Sequence, residues 1–350
     1  MNFQKKINIA IIFLLVIVIS LLLTFFIGTK AVSSKKNAIS VRVEVPSGTT
    51  IKSISQTLKQ EKLIRSSFVF YTCARFPIVK TIFTADSSQF SLKSGVYKLN
   101  TSMNVAQICK ILSSGQQEYI RISFSEGLTL SKIANKLEDS QVCSAKEFLQ
   151  AAHNQNLLSK YKINANSFEG FLFPDTYFFI PGMTGASVVS QMADNFFEKI
   201  REIPAFEKMT SEQLYKTVIL SSIVEREYKL EEEAPLIASV FTNRLAHNIG
   251  LYSCATIEYI ITEIQGRPHP DVITYADLEI DSPYNTYKWA GLPPSPISNP
   301  GLVALKAAAS PAKTNYYFFR LVDASVGKHV FSSDFNTHKN EKYINNRIKK

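Results

Sequence analysis

The residue best placed for acid–base chemistry in this chain is a glutamate that ends an apolar helical run. In Ile219-Leu220-Ser221-Ser222-Ile223-Val224-Glu225-Arg226-Glu227 the charges appear only in the last turn. Thr210 and Gln213 have capping-box spacing, which predicts a helix starting near Ser211. Leu214, Val218, Ser221, Ser222 and Glu225 then recur at three- to four-residue spacing and share one face. Glu225 therefore falls on the stripe expected to be buried. Glu227 lies about 200° further round, so one regular helix cannot aim both carboxylates at one site. A carboxylate on an apolar face is costly unless it is paired or protonated. Such burial raises a glutamate from about 4.3 to about 6–7, the range a general acid needs near neutral pH. The competing reading is an ion pair with a core arginine such as Arg244.

Two further stretches carry polar groups among aromatic rings. Ser167 to Tyr177 reads Ser-Phe-Glu-Gly-Phe-Leu-Phe-Pro-Asp-Thr-Tyr, a loop or short strand closed by Gly170 and Pro174. Most of its phenylalanines suit core packing, but Glu169 and Asp175 could meet sugar hydroxyls. Asp281 to Pro294 holds the only Trp, Trp289, with Tyr284, Asn285, Thr286 and Tyr287, and its Pro and Gly exclude regular structure. An irregular loop of amides, hydroxyls and rings is a surface expected to grip carbohydrate. By contrast, Glu231-Glu232-Glu233 before Pro235 suit the positive end of a new helix better than a metal. No metal site and no cofactor is expected. Cys73, Cys109, Cys143 and Cys254 form no C-x-x-C pair, and the five histidines are not paired at helical spacing. The cysteines are expected to be buried thiols. A nucleophilic serine at Ser221 or Ser222 lacks the glycines of a nucleophile elbow.

The elements that would position these groups follow from patterning. Ile7 to Gly28 is almost wholly apolar, enough at 1.5 Å per residue to cross a bilayer, and reads as an uncleaved anchor. Ser33 to Asn37 reads as a short polar linker. Val41, Val43 and Val45 alternate as a strand, Pro46-Ser47-Gly48 turns, and Thr50 caps a helix bearing Ile51, Ile54 and Leu58. Asn104 to Gly115 repeats the capped helix, and Ile122 to Leu137 repeats strand, glycine, capping threonine and helix. The three units predict a compact α+β module. Residues 141–165 look helical and polar. After the Glu225 helix a second is expected through Leu236, Val240 and Leu245, and a third after Leu251 to Ile257. Pro300-Gly301 opens another. Tyr316 to Phe319 and His329 to Phe331 predict paired strands, and Ser332 to Lys350 a polar, exposed tail. The 350 residues allow about two domains. The net charge of +10 suits anionic lipid or polyanionic wall material. Its lysines and arginines are scattered, without a nucleic-acid signature, so no nucleic-acid partner is expected.

With these motifs in view, the chain resembles the membrane-anchored endolytic murein transglycosylases of the MltG (YceG-like) type. The likeness is carried by Ser222-Ile223-Val224-Glu225-Arg226-Glu227, Phe241-Thr242-Asn243-Arg244-Leu245, Tyr284-Asn285-Thr286-Tyr287 with Gly291-Leu292-Pro293-Pro294, and Ala307-Ala308-Ala309-Ser310-Pro311. Glu169-Gly170 with Pro174-Asp175-Thr176-Tyr177 also matches. The resemblance implies an α+β protein: an anchor at 1–28, a small LysM-like α/β module at 38–120 and a larger mixed α+β catalytic domain at 121–350. It implies cleavage of the MurNAc-β-1,4-GlcNAc bond in nascent peptidoglycan, leaving 1,6-anhydroMurNAc ends, with Glu225 as acid and then base. One carboxyl suffices because the muramyl 6-hydroxyl attacks and no water is activated. Glu169, Ser222, Ser253, Tyr284, Asn285, Thr286 and Tyr287 would bind the substrate. The implied partners are glycan strands, membrane lipid and, by analogy, wall-synthesis polymerases. The implied place is the outer, periplasmic face of the cytoplasmic (inner) membrane. A departure lies at Leu251-Tyr252-Ser253-Cys254-Ala255-Thr256, where a common family version reads Leu-Gln-Ser-Asp-Pro-Thr. Two rivals stand beside this reading. One is a hydrolytic muramidase in which Glu227 or Glu169 activates water. The other is a non-enzymatic wall-binding division scaffold.

Overall fold

A computed structural model describes residues 3–46, 48–115, 119–323, 325–340 and 348–349. The chain divides into two compact units, Met1–Tyr119 and Ile120–Lys350.

The first unit begins with helix α1, Phe3–Thr29. Its stretch Ile11–Thr29 has a mean hydropathy of 3.1, long and apolar enough to cross a membrane. The side chains from Ile11 stay exposed until the last turns, where Gly28 and Thr29 are buried. Strand β1 (Ser40–Val45), helices α2 (Ile51–Gln60), α3 (Ser67–Arg75) and α4 (Pro77–Thr84), strand β2 (Gly95–Asn100) and helix α5 (Val105–Ser114) follow. β1 and β2 pair antiparallel, with Val43 opposite Tyr97. Their inner residues pack on Ile54, Leu58, Phe70, Ile108 and Leu112. Thr50 caps α2 through the Ser53 N–H. Asn104 and Gln107 close a capping box on α5, which Gly115 ends at φ +72°.

The chain just after α1 is held to the unit, while Ser34 to Asn37 of the expected polar linker are exposed. Arg65 donates to the carbonyls of Ala31 (3.0 and 2.8 Å) and Val32 (3.4 Å). Ser33 N donates to Thr101 O at 2.9 Å, and Lys35–Asn37 winds into a 3₁₀ turn. The partners that hold Ala31 and Ser33 lie 34 and 68 residues away in sequence, beyond any local pattern.

The second unit opens with strand β3 (Ile120–Ser123) and helices α6 (Leu130–Asp139), α7 (Ala145–Ala152) and α8 (Gln155–Lys160). β3 pairs antiparallel with strand β4 (Thr176–Phe179), Ile122 facing Tyr177. The third strand–turn–helix copy thus has the expected capped helix, but it belongs to this unit and does not complete a three-part module with β1 and β2. Helix α9 (Gly185–Arg201) packs against α7, and Phe124, Phe148, Phe168, Phe171, Phe179 and Phe196 belong to the unit's shared core.

Helix α10 (Ser211–Glu227) starts at the capping box of Thr210 and Gln213. Its burial departs from a single stripe: every residue from Val218 to Val224 is buried. The reason is that α10 runs through the middle of the unit, against helices α11 (Ala234–Ala246), α12 (Cys254–Tyr259) and α14 (Leu302–Ala309). The acidic run forms a 3₁₀ turn leading into α11, as its charge and Pro235 suggest. A π turn at Ile260–Ile264 prolongs α12. A short strand β5 (Ile273–Thr274) and helix α13 (Tyr275–Leu278) precede the irregular loop ending before α14. Strands β6 (Phe318–Asp323) and β7 (Lys328–Ser332) pair antiparallel. Helix α15 (Phe335–Asn340) and strand β8 (Ile348–Lys349), parallel to β5, end the chain. Residues 341–347 and 350 of the expected tail, and Ser47 of the first turn, lie outside the described residues. None of the four cysteines is disulfide-bonded. Cys73 and Cys109 are buried, Cys143 and Cys254 half-buried.

Candidate active site

Glu225 sits in the last turn of α10, half-buried, where the helix emerges from its packing. Its Oε2 accepts the Gly301 N–H at 2.9 Å. Gly301 is the N-cap of α14, so the carboxyl rests on the amide end of a second helix. Burial nevertheless pushes its pKa up to about 8, and the charge of Glu126 adds to that. The Gly301 hydrogen bond and the Arg226 guanidinium act in the opposite sense and are outweighed. The core ion pair with Arg244 does not form: Arg244 donates to Tyr317 O at 2.7 Å and Leu251 O at 2.6 Å.

A second carboxylate reaches this place from a turn that sequence reasoning passed over. Glu126 precedes Gly127 in the turn between β3 and α6 and is exposed. Its carboxyl lies against the Gly301 Cα so closely that a Cβ there would collide with it. The same turn passes close to Glu225 and Arg226 at Gly127, φ +75°, where a Cβ would touch both side chains. Glu126 and Glu225 therefore stand on either side of Gly301. Partial burial and the charge of Glu231 raise the Glu126 carboxyl, but only that of Glu225 is driven up to about 8. The signal available was the Ser125-Glu126-Gly127 turn ahead of the capping Thr129. Its glycine was legible as a turn, and its acid was not.

Asn299 fastens these pieces. Its N–H and Nδ2 both donate to Leu128 O, at 2.8 and 3.0 Å. Its carbonyl accepts from Gly127 N at 2.9 Å, and its Oδ1 from Gly170 N and Leu172 N, both at 3.0 Å. Nδ2 also donates to Glu169 Oε1 at 2.9 Å, while Glu169 Oε2 accepts from Leu130 N at 3.1 Å. Glu169 is buried, and burial raises it to about 8. One amide thus ties the Glu126 turn, the Glu169 loop and the Gly301 segment together. Its side chain is fully enclosed, and only long-range contacts reveal it.

Most of the other expected substrate ligands use their polar atoms inside the protein. Ser222 Oγ donates to Ile219 O at 2.7 Å and accepts Ile297 N at 3.0 Å, fixing the segment before Gly301 to α10. Glu227 points away from Glu225 and accepts Ser253 Oγ at 2.6 Å, as its helical angle requires. Ser253 N donates to Thr286 Oγ1 at 3.1 Å, which also meets Thr256 Oγ1 at 2.9 Å. Asn285 Nδ2 donates to Leu278 O and Ile280 O, and its Oδ1 accepts Tyr287 N. Ser222, Ser253, Asn285 and Thr286 are all buried. The geometry gives them a bracing part: they hold the loop in shape. Tyr284 and Tyr287 are half-buried, with hydroxyls against Ser295 Oγ (2.6 Å) and Cys254 Sγ (3.1 Å). Trp289 and Tyr252 stand exposed on the same loop system. Cys254 thus stands at the departure from the common family version and touches a motif tyrosine.

On the far side of Glu225, Arg226 pairs with Glu258 at 2.7 Å and reaches Gly127 O at 3.4 Å. That pair holds the final turn of α10 against α12. The arrangement is a protonated carboxyl at a helix N-terminus, beside an exposed second carboxyl, with aromatic rings on an adjoining loop. It can give a proton to a leaving oxygen and take one back.

Residues 43–343 match the YceG-like family. An endolytic murein transglycosylase of Bacillus subtilis is 29% identical over 334 residues, 90% of this chain and 88% of the relative. Another, from Streptococcus pneumoniae, is 27% identical over 328 residues, covering 85% of this chain but 57% of its own. A crystal structure of a yceG-like protein from Listeria monocytogenes is similar with a TM-score of 0.55 and 30% identity, over 87% of this chain and 100% of that one.

Proposed function

The chain belongs to the YceG-like family, and on that footing we propose that it is an endolytic lytic transglycosylase of peptidoglycan whose acid is Glu225. Its named relatives act on murein. The observation that carries the role of Glu225 is its carboxyl, raised to about 8 and half-exposed on the amide end of α14. At neutral pH it holds a proton where a substrate oxygen can meet it.

In this reading Glu225 gives its proton to the glycosidic oxygen between MurNAc and GlcNAc. The bond from the anomeric carbon to that oxygen breaks. The muramyl 6-hydroxyl oxygen bonds to the anomeric carbon from within the same sugar, and its proton passes to the Glu225 carboxylate. No water is consumed, and the acid is restored. While Glu225 is briefly charged, the Gly301 N–H steadies it. Glu126, less strongly raised, supplies negative charge beside the oxocarbenium-like centre and keeps the proton on Glu225 beforehand. Tyr284 and Tyr287, with exposed Trp289 and Tyr252, are the rings on which sugars would stack.

The helix Ile11–Thr29 would anchor the enzyme by a single pass, with the second unit on the periplasmic face of the cytoplasmic membrane, where glycan strands are made. The β1/β2 unit is carried as a LysM-like module, and wall-synthesis polymerases as neighbours by analogy.

A hydrolytic reading has one observation in its favour: Glu126 is a second carboxyl beside Glu225, as a water-activating base would have to be. Full-length protein incubated with nascent, uncrosslinked glycan separates the two. Mass spectrometry should find anhydro-ended fragments, one water lighter than reducing-end fragments, and none from Glu225→Gln. Reducing ends alone would establish a muramidase, and intact glycan would sink the enzyme reading.

A further inference from the structure

The first unit carries an apolar face that its own fold leaves uncovered. Ile78 and Ile82 on α4 are 75% and 70% exposed, and Phe76 and Phe68 just before α4 and in α3 are 53% and 68% exposed. Ile78 and Ile82 lie four residues apart, hence one above the other on one side of the helix. The only charged residue of α4 is turned the other way. Lys80 is 1% exposed, with its ammonium hydrogen-bonded to Ser88 and paired with Asp86 at 3.1 Å. The outer side of α4 thus presents hydrocarbon without charge.

What should cover this face is set by where α4 sits on α1. Phe83 packs against Phe25, ring centroids 4.5 Å apart and planes tilted by 51°. A cleft of about 300 Å³ is lined by Phe26, Thr29 and Lys30 of α1 and its exit and by Ile82, Phe83 and Ala85. Phe25, Phe26 and Thr29 belong to the last turns of the stretch that can cross a membrane. At 1.5 Å per residue, nineteen residues measure about 28 Å, the thickness of a hydrocarbon core. Its end at Thr29 therefore falls at the boundary with the headgroups, and α4 contacts α1 within about one turn of that boundary. The joint cannot swing α4 away, because Arg65 and Thr101 hold Ala31, Val32 and Ser33. Lys30 lines that cleft and is exposed, as are Lys35 and Lys36 just after the joint and Arg75 just before α4, and anionic headgroups would meet them there.

We propose that α4 and its flanks are a second membrane contact, lying in the lipid interface with Phe76, Ile78 and Ile82 inserted beside the α1 span. A short helix with a bare apolar side buries it about 5–10 Å into the headgroup boundary. The first unit is then seated on the bilayer as a rigid foot, not hung from a flexible tether. This rests on α1 spanning the membrane.

The test uses the full chain reconstituted in vesicles of phosphatidylcholine and phosphatidylglycerol, some brominated near the glycerol end of the acyl chain and others near the methyl end. One tryptophan at a time is introduced as Ile82→Trp, as Lys52→Trp at an exposed position of α2, and as Phe13→Trp within α1, with the native Trp289 emission as baseline. Ile82→Trp should lose emission most to the shallow bromines and shift to the blue, while Lys52→Trp stays unquenched. Phe13→Trp should be quenched by the deep bromines. Ile82→Trp behaving like Lys52→Trp, with Phe13→Trp quenched, overturns the interfacial foot and leaves the anchor standing. No quenching of Phe13→Trp overturns both.

Discussion

Oε2 of Glu225 and the amide N–H of Gly301 meet at 2.9 Å, joining the last turn of α10 to the first turn of α14. The contact fixes the carboxyl without neutralising it, since an amide leaves room for a proton on the other oxygen. Glu225→Gln preserves the shape and can still accept this hydrogen bond. It should lower glycan cutting by at least about 10²-fold, the scale of a lost general acid. Release of soluble fragments from labelled glycan measures it, and an unchanged urea midpoint verifies the fold.

The protonation of Glu225 should appear directly in the pH profile. Its pKa of about 8 keeps the acid form present at neutral pH and removes it above. Cutting should fall as pH rises through about 8. Glu126→Gln removes a neighbouring negative charge, so the falling limb should move to lower pH. The groups facing this pair are Arg226, Glu231 and Tyr228, and all remain in the variant. A drop in rate at every pH with no movement of the limb would leave Glu126 a structural part only.

Gly301→Ala tests the same pair from the backbone. Gly301 has an ordinary φ of −83°, so alanine carries no backbone strain. Its Cβ would instead displace the Glu126 carboxyl. Stability should fall by no more than about 1 kcal/mol, the N-cap preference for glycine over alanine, because that carboxyl ends an exposed, movable side chain. Its effect on the pH limb should overlap with that of Glu126→Gln and not add to it in the double variant.

Asn299→Ala strands the buried N–H groups of Gly170 and Leu172 and takes a donor from Glu169. Unpaired buried groups cost ~1–3 kcal/mol each, so a loss of about 3 kcal/mol is expected in urea unfolding. Cutting should fall as well, since the Glu126 turn and Gly301 lose their common tie.

Glu169 gives a pH signature in stability. The folded chain binds its proton up to about pH 8, whereas an unfolded glutamate releases it near 4.5. The folded state therefore holds more protons in that window, and stability falls as pH rises from about 4.5 to about 8. Glu169→Gln should flatten part of this slope, as read from urea midpoints at successive pH values. An unchanged slope would mean that Glu169 is ionised in its buried site.

The sequence alone determined what depends on neighbours along the chain. The capping box before Ser211 placed α10, the three- to four-residue spacing placed Glu225 on an inward face, and the angle between positions two apart kept Glu227 out of its site. The apolar run of α1 and the strand alternation at Val41 to Val45 were equally plain, because helix period and pleat are local rules. Tertiary structure decided what depends on residues far apart. Pairing with β4 moved the third repeat into the second unit. Asn299 joined segments some 130 and 170 residues distant. The turn at Gly127 carried Glu126 to Gly301, and the substrate-like amides of the Tyr284–Tyr287 motif were drawn inward as braces. A buried polar atom must find a partner, and which partner it finds is settled only when distant segments pack.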